Sequence, residues 1–262
     1  MEQATIHYEA ADGIARLTID HQARMNAMTF DMWSSVPELI RRAENDRFVR
    51  AIVLQGAGGK AFCAGADISQ FGERRSGEDG VKTYDKAVAA GMKAVHDAAK
   101  PTIAVIHGIC FGGGCALALT CDIRFATDDA RFRVPAARLG LGYGFSNLRM
   151  MVGKLGVGPV ADIMISARVL DAAEAQRLGV INHAWPREGF AAEVEAYLAT
   201  VAANAPLTLA AIKRSLVELS RPEAEQDAAA AEALIARCFD SADYKEGQKA
   251  FLEKRLPRFT GE

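Results

Sequence analysis

The stretch from Ala104 to Asp122, AVIHGICFGGGCALALTCD, constrains the fold more than any other part of the chain. Ala104 to Ile106 is a short β-branched apolar run bounded by Gly108, which reads as a buried strand. Gly112, Gly113 and Gly114 follow, and Cys115 to Thr120, small and apolar, reads as the start of a buried helix. Three glycines at such a junction let the backbone approach a ligand with no Cβ in the way. The first N–H groups of a helix have no intrahelical partner and lie at the positive end of its dipole. The turn can therefore hold a phosphate or a developing oxyanion. No Lys-Ser or Lys-Thr follows the glycines, so a P-loop is excluded. A purely structural reading, in which the glycines only permit tight packing, stays open at this point.

A chain of 262 residues can bury one substantial core and carry an appendage. Half of the residues are hydrophobic and 24% are charged, which fits a globular chain and not a disordered one. A formal net charge of −2 gives no electrostatic reason to expect nucleic acid or an anionic membrane as a partner. The longest apolar stretch, Ala104 to Ala118, is broken by His107 and four glycines and falls short of a membrane span. The N-terminal MEQATIHYEA lacks a basic segment followed by an apolar one, so a cytoplasmic protein is expected. Cys63, Cys110, Cys115, Cys121 and Cys238 are odd in number and several lie in apolar runs, as expected of reduced, buried thiols. No pair has zinc-ligand spacing, and no metal is expected. Cys115 in the central turn invites a nucleophilic role, but its apolar setting favours packing.

Taken in order, Thr5 to Glu9 and Ile14 to Ile19 alternate like strands and meet across Ala11-Asp12-Gly13, a hairpin signal. Thr29 can cap a helix running to about Glu44, with Pro37 kinking or restarting it. Ala51 to Leu54 reads as a buried strand, Ser69 to Gly80 as a charged, glycine-bearing surface loop, and Tyr84 to Ala98 as a helix. Ile123 to Ala126 and Arg131 to Val134 read as strands, and Pro135 to Ser146 as an ordered loop or broken helix. Val160 to Ser166 reads as a helix, as does Ala172 to Leu178, capped by Asp171 and stopped by Gly179; Val180 to Ala184 reads as a last strand. Beyond Phe190 four helices are expected: Ala191 to Ala203, Leu207 to Leu219, Pro222 to Phe239, and Tyr244 to Arg255. The composition shifts near Asn204, which divides the chain into an α/β core (1–203) and a helical tail (204–262).

Strands alternate with helices and are apolar on both faces, so the fold class is α/β with a mainly parallel sheet. Glycine loops follow two of the core strands and should open at their carboxyl ends, where such sheets bind ligands. Two donor-rich turns on one cleft suggest a polarised carbonyl. Gly56-Ala57-Gly58-Gly59-Lys60-Ala61 also fits a G-x-G-x-x-A dinucleotide fingerprint, which would make a nicotinamide or flavin oxidoreductase. The residues that follow it look extended and turned instead of helical, which weighs against that reading.

AFCAGADI (Ala61 to Ile68) followed by KPTIAVIHGICFGGGCALALTCDIRFA (Lys100 to Ala126) resembles the crotonase superfamily, the enoyl-CoA hydratase/isomerase group. The likeness extends to Arg24-Met25-Asn26-Ala27, Ala172 to Ala175, Leu178 to Ile181, and the terminal Glu246-Gly247 and Phe251 to Arg255. The resemblance implies a spiral of repeated ββα units, and a C-terminal helical region that builds trimers, often paired into hexamers. It implies an acyl-CoA thioester substrate, with no cofactor beyond the CoA that the substrate carries. By the same match the backbone N–H groups of Ala66 and Gly113 would form an oxyanion hole. Arg24, Ala27, Ala64, Asp67 and Ile68 would lie near the CoA moiety, and Phe251 and Lys254 would reach a neighbouring subunit's CoA. Taken without the resemblance, Lys254 is a solvated helix charge.

The family's hydratases carry two glutamates, one in GGGCE and one in PE; here those positions are Ala116 and Ala136. Alanine transfers no proton, so standard hydration is not expected. Pro135 to Ser146 contains no Asp or Glu to substitute, and Asp122, Asp128 and Asp129 read as structural or solvated. Tyr143 occupies the loop from which members resembling methylmalonyl-CoA decarboxylase use a tyrosine; its other reading is an aromatic lining the acyl pocket. His107 reads as a hydrogen-bonding residue at a strand end, and Arg138 and Ser146 as possible contacts of a polar acyl group. The expected protein is thus an enzyme that stabilises a thioester enolate. A decarboxylase-like activity and a non-catalytic acyl-CoA binder are the alternatives.

Overall fold

The computed structural model describes residues 4–70 and 77–262. Asp12 and Gly13 both adopt positive φ, 51° and 79°, the two-residue turn whose twist matches a hairpin. It joins β1 (Thr5–Ala11) to β2 (Ile14–Asp20) in an antiparallel register that ends at Ala11 opposite Ile14. The Thr29 hydroxyl accepts from Met32 N and starts α1 (Phe30–Asn45). Pro37 neither divides nor restarts α1, which continues through it. Proline leaves the carbonyl four residues earlier, that of Trp33, without its helical donor, and Gly91 of the adjacent helix packs against that oxygen.

From there the chain repeats one unit. With the late strand β10 (His183–Trp185), β3 (Ala51–Gly56), β5 (Thr102–Ile106) and β7 (Ile123–Thr127) enter a six-stranded sheet of order β1-β2-β3-β5-β7-β10, parallel apart from the β1–β2 pair. Each is followed by a three-residue strand in a second sheet: β4 (Ala61–Cys63), β6 (Ile109–Phe111) and β8 (Arg131–Arg133). That sheet has the order β4-β6-β8-β9, with β9 (Leu170–Asp171) antiparallel at its edge. After each pair comes a helix or helical segment: α2 (Gly77–Asp97), α3 (Gly113–Thr120), then α4 (Phe145–Leu155) with α5 (Val157–Ser166). Successive units lie side by side in both sheets, the ββα spiral that the resemblance implies.

Alternation along the central strands divides the core. Ile52, Leu54, Ala104 and Ile106 face the larger core beneath α1, α2 and α3. Ala51, Val53, Ile103 and Val105 face outward and are covered by Phe190, Val194, Leu198 and Val201 of α7 (Phe190–Ala202). Asp171 caps the short α6 (Ala172–Arg177) by accepting from Glu174 N. The tail is α8 (Pro206–Leu219), α9 (Ala228–Phe239) and α10 (Ala242–Leu252). It is fastened to the spiral by Lys213, whose buried Nζ lies 2.7 Å from Asp122 Oδ1, just past the end of α3.

Four local expectations are corrected. The region expected as a loop over Ser69 to Gly80 contains a 3-10 turn at Ile68–Gln70 and, from Gly77, the first turns of α2; residues 71–76 of it lie outside the described residues. Val180 and Ile181 are buried but precede the last strand, β10 (His183–Trp185). The helix expected from Pro222 begins at Ala228, because Asp227 accepts from Ala230 N and caps it there; a 3-10 turn, Glu223–Glu225, comes before it. The last helix starts at Ala242, where the Ser241 hydroxyl accepts from Tyr244 N, and stops at Leu252.

Candidate active site

Two turns at the carboxyl ends of β4 and β6 meet on one cavity. Residues Met25 to Met28 pair with Ala64 to Asp67: Ala64 N donates to Met25 O, Met28 N to Gly65 O, and Asp67 N to Met28 O. Backbone groups alternate in direction along an extended segment, so the Ala66 N–H points away from this pairing. The second turn is tied by Gly112 N, which donates to Arg133 O at 2.7 Å, and Ala116 N closes the first turn of α3 on Gly112 O. Gly113 N therefore has no place in the helical ladder. Among the described residues, no hydrogen bond consumes the N–H of Ala66 or Gly113.

The two amides are neighbours. A Cβ placed on Gly113 would stand 3.7 Å from Ala66 N, and one placed on Gly65 would stand 3.3 Å from Gly113 N. Gly112 holds φ 52° and ψ −121°, a conformation open to glycine alone. Gly114 answers to packing instead: a Cβ there would lie 2.3 Å from Cys63 O. Both readings of the glycine cluster therefore hold, at different residues.

The cavity that these turns border has a volume of about 380 Å3. Ala64, Ala66, Ile68, Gly113, Ala116, Ala136, Tyr143 and Ser146 all line it, so the central part of the expected site is brought together. Ala116 and Ala136 are almost fully buried in its wall, the second in a 3-10 turn, Ala136–Leu139. Burial, with a smaller contribution from nearby Cys115, pushes the Tyr143 phenol up from its ordinary value. Tyr143 accordingly stays protonated and keeps a hydrogen to donate.

Other expected residues lie elsewhere. Arg24 is exposed, and Ala27 and Asp67 are buried just behind the cavity wall; Asp67 Oδ1 accepts from Ser69 N and Ser69 Oγ. Phe251 lines an apolar groove of the tail with residues of α8 and α9, and Lys254 follows α10 with φ 55°. Neither reaches the cavity within one chain. Arg138 is exposed and outside it. His107 stands at a strand end, edge-on to Phe190 at 4.8 Å, and among the described residues its buried Nδ1 has no hydrogen-bond partner. Burial first, and then Arg187, lowers its pKa and keeps it neutral.

Asp122 Oδ2 accepts from Thr102 N and Oγ1, and Asp129 pairs with Arg187 at 2.9 Å, so both are occupied structurally. The fingerprint glycines form a 3-10 turn, Ala57–Gly59, that leads into β4 with no helix behind it, which removes its physical basis. Cys63, Cys110, Cys115 and Cys121 are buried and free, and burial pushes the Cys63 and Cys121 thiols up to about 12. They are poor nucleophiles. No group of three His, Cys, Asp or Glu among the described residues could hold a metal ion, and no described helix is long and apolar enough to cross a membrane.

Trp33 and Asp85 are among the lining residues that were not singled out in the sequence. Trp33 comes from α1, and Asp85 is the sole carboxylate among the described lining residues. Asp85, Val88, Ala89 and Met92 form one face of α2 at helical spacing, and that face borders the cavity. The spacing was legible, but the side on which the cavity would open was not.

The sequence pattern of the enoyl-CoA hydratase/isomerase family matches residues 9–262. A short-chain-enoyl-CoA hydratase of Clostridium acetobutylicum is 30% identical over 261 residues, 97% of each chain. A crotonyl-CoA hydratase of Syntrophomonas wolfei is 29% identical over 99% of each. The crystal structure of an enoyl-CoA hydratase/carnithine racemase from Magnetospirillum magneticum superposes with a TM-score of 0.94 at 32% identity, covering 100% of this chain and 97% of that one. Fold, sequence and the two glycine turns agree: the chain belongs to the enoyl-CoA hydratase/isomerase family of the crotonase superfamily.

Proposed function

We propose that the protein binds an acyl-CoA thioester and stabilises its enolate, the thioester oxygen accepting from Ala66 N and Gly113 N. The observation that carries this is the pair of adjacent, unspent amides on one cavity. Preorganised main-chain donors stabilise an oxyanion without moving, and each such donor lowers the barrier by about 3 kcal/mol. The thioester must be drawn with its Cα toward Ala116 and Ala136, where the family's hydratases have their glutamates. With two methyl groups there, activation of water by a carboxylate pair is lost and standard hydration is not the reaction.

Tyr143 favours one second reading. Decarboxylation needs an enolate sink and a carboxylate held out of plane, but no base to begin it. A neutral phenol in an apolar wall supplies a donor for such a group and leaves the carboxylate poorly solvated. A non-catalytic acyl-CoA binder would use the same amides without turnover. The exposed apolar side chains Ile212, Leu216, Phe239 and Phe251 of the tail support assembly into trimers or hexamers. Phe251 and Lys254 would then meet the CoA of a neighbouring copy.

The test is calorimetry and turnover with crotonyl-CoA and methylmalonyl-CoA. Binding with carbon dioxide release from the second supports the decarboxylase. Binding of a broad thioester panel without any turnover supports the carrier. Failure to bind any CoA thioester rejects the proposal.

A further inference from the structure

The hydrogen-bonding side chains still open to a ligand gather in one segment of the cavity wall. Tyr143, Ser146 and Asn147 all line the cavity, and no hydrogen bond among the described residues consumes any of the three side chains. The other polar lining groups are sealed or spent: Trp33 Nε1 and the Tyr84 hydroxyl are closed off from solvent, and Asp85 is already engaged. Asn147 is half-buried, and neither polar atom of its amide is sealed. The start of α4 fixes it in place, its N–H donating to Gly144 O at 3.1 Å. A Cβ on Gly144 would stand 3.8 Å from Asn147 Nδ2, so the amide lies beside a glycine that itself lines the cavity. Tyr143, four residues earlier, keeps its phenol hydrogen because burial raises its pKa.

We propose that Asn147 is a specificity-determining residue whose Nδ2, with the Tyr143 hydroxyl, holds a carboxylate on the acyl Cα. This rests on the thioester reading above and deepens its decarboxylase form. Phenol, hydroxyl and amide supply donors within five consecutive residues. A carboxylate, with about four acceptor sites, answers them with charge-assisted bonds. A hydrocarbon acyl chain would displace the water on these groups and return no hydrogen bond. The placement also serves the reaction. The amides of Ala66 and Gly113 come from the turns after β4 and β6, whereas Asn147 comes from α4. Anchors on separate elements hold the two ends of a short acyl group and so set the torsion about the bond from Cα to its carboxylate. When that bond breaks, carbon dioxide leaves, its bonding pair passes through Cα to the thioester oxygen, and water returns a proton to Cα.

The experiment compares methylmalonyl-CoA with propionyl-CoA, which differ by the carboxylate alone, on the native chain, Asn147→Leu and Asn147→Asp. Calorimetry gives the dissociation constants. If carbon dioxide is released, KM stands for methylmalonyl-CoA and product inhibition for propionyl-CoA. The native chain is expected to bind methylmalonyl-CoA at least about tenfold more tightly than propionyl-CoA. Asn147→Leu should lose most of that preference, and Asn147→Asp, which sets a like charge there, should reverse it. Affinity for propionyl-CoA should stay unchanged in both. Aspartate suits the first turn of a helix, so N147D decides the matter if N147L does not fold. No preference in the native chain, a preference kept in the variants, or an equal loss of both ligands overturns the inference and leaves the thioester site standing. If neither ligand binds the native chain, the thioester site falls as well.

Discussion

One wall of the cavity is main chain and the other is side chain, and they have different freedoms. Ala66 and Gly113 present amides whose directions are set by backbone pairing to Met28 and Arg133 and by the start of α3. Ala116, Ala136 and Tyr143 present side chains that take no part in that pairing. A substitution on the second wall changes the chemistry and leaves the fold alone; on the first wall only a position with room around it, such as Gly113, can change without disturbing the fold. If the amides of Ala66 and Gly113 polarise the thioester as proposed, side chains at Ala116 and Ala136 can be exchanged while that pair stays.

The largest expected effect is a gain. Converting Ala116→Glu together with Ala136→Glu should raise crotonyl-CoA hydration about 100- to 10,000-fold, the usual contribution of general acid and base catalysis. The assay is loss of the enoyl absorbance. A double variant that folds and binds crotonyl-CoA but hydrates no faster would show that these positions do not face the acyl group. The opposite wall predicts a loss. Gly113→Pro deletes one amide hydrogen at the first position of α3, where proline is compatible with a helix. Turnover of whatever thioester the protein uses should fall about 100- to 1,000-fold with little change in melting temperature. Unchanged turnover would remove Gly113 from the mechanism.

Adjacent glycines on the main-chain wall then separate function from packing. Gly114→Ala places a methyl group 2.3 Å from Cys63 O and 2.9 Å from Cys63 C, backbone atoms that cannot swing aside. Overpacking of this kind costs about 3 kcal/mol and should lower the melting temperature by roughly 10 °C. At Gly113 the nearest atom to an added Cβ is Trp33 Cζ2 at 3.5 Å, ordinary contact, so Gly113→Ala should melt close to the native chain. Equal melting of the two variants would refute the division of roles.

The same contrast explains what the sequence revealed. Features written in a few consecutive residues were legible: the Asp12-Gly13 turn, the Thr29 and Asp171 caps, and the buried apolar strands Ala51 to Leu54 and Ala104 to Ile106. The second sheet was not legible from pattern, because β4, β6 and β8 have three residues each, too few to display a period. Only the resemblance implied it. Likewise Ala116, Ala136 and Tyr143 mean something only against a family pattern, since alanine carries no chemical signal of its own. Trp33 and Asp85 were missed because both sit on helices whose cavity-facing side is decided by tertiary packing.

The smallest expected effect concerns the tie between the two walls. Lys154, on the helix that follows the Tyr143 loop, donates from Nζ to Cys121 O just past the end of α3, at 2.7 Å. Burial, and then repulsion from Arg124, brings its pKa down to about 8 from 10.5. Between those values the unfolded chain holds a proton that the folded chain has released. Stability contributed by this group therefore rises as pH increases from about 8 toward 10.5, and below 8 the buried charge is a burden. At the same end of α3 Asp122 draws the pKa back up while Lys213 pushes it further down, and between pH 8 and pH 10 the gain in stability should amount to about 2 kcal/mol. Lys154→Met should remove that slope while leaving thioester affinity at the two amides within about twofold, as read by denaturant titration and calorimetry at pH 8 and pH 10. An unchanged slope would mean that Lys154 keeps its proton in the folded chain, and a large fall in affinity would mean that the two walls are mechanically coupled after all.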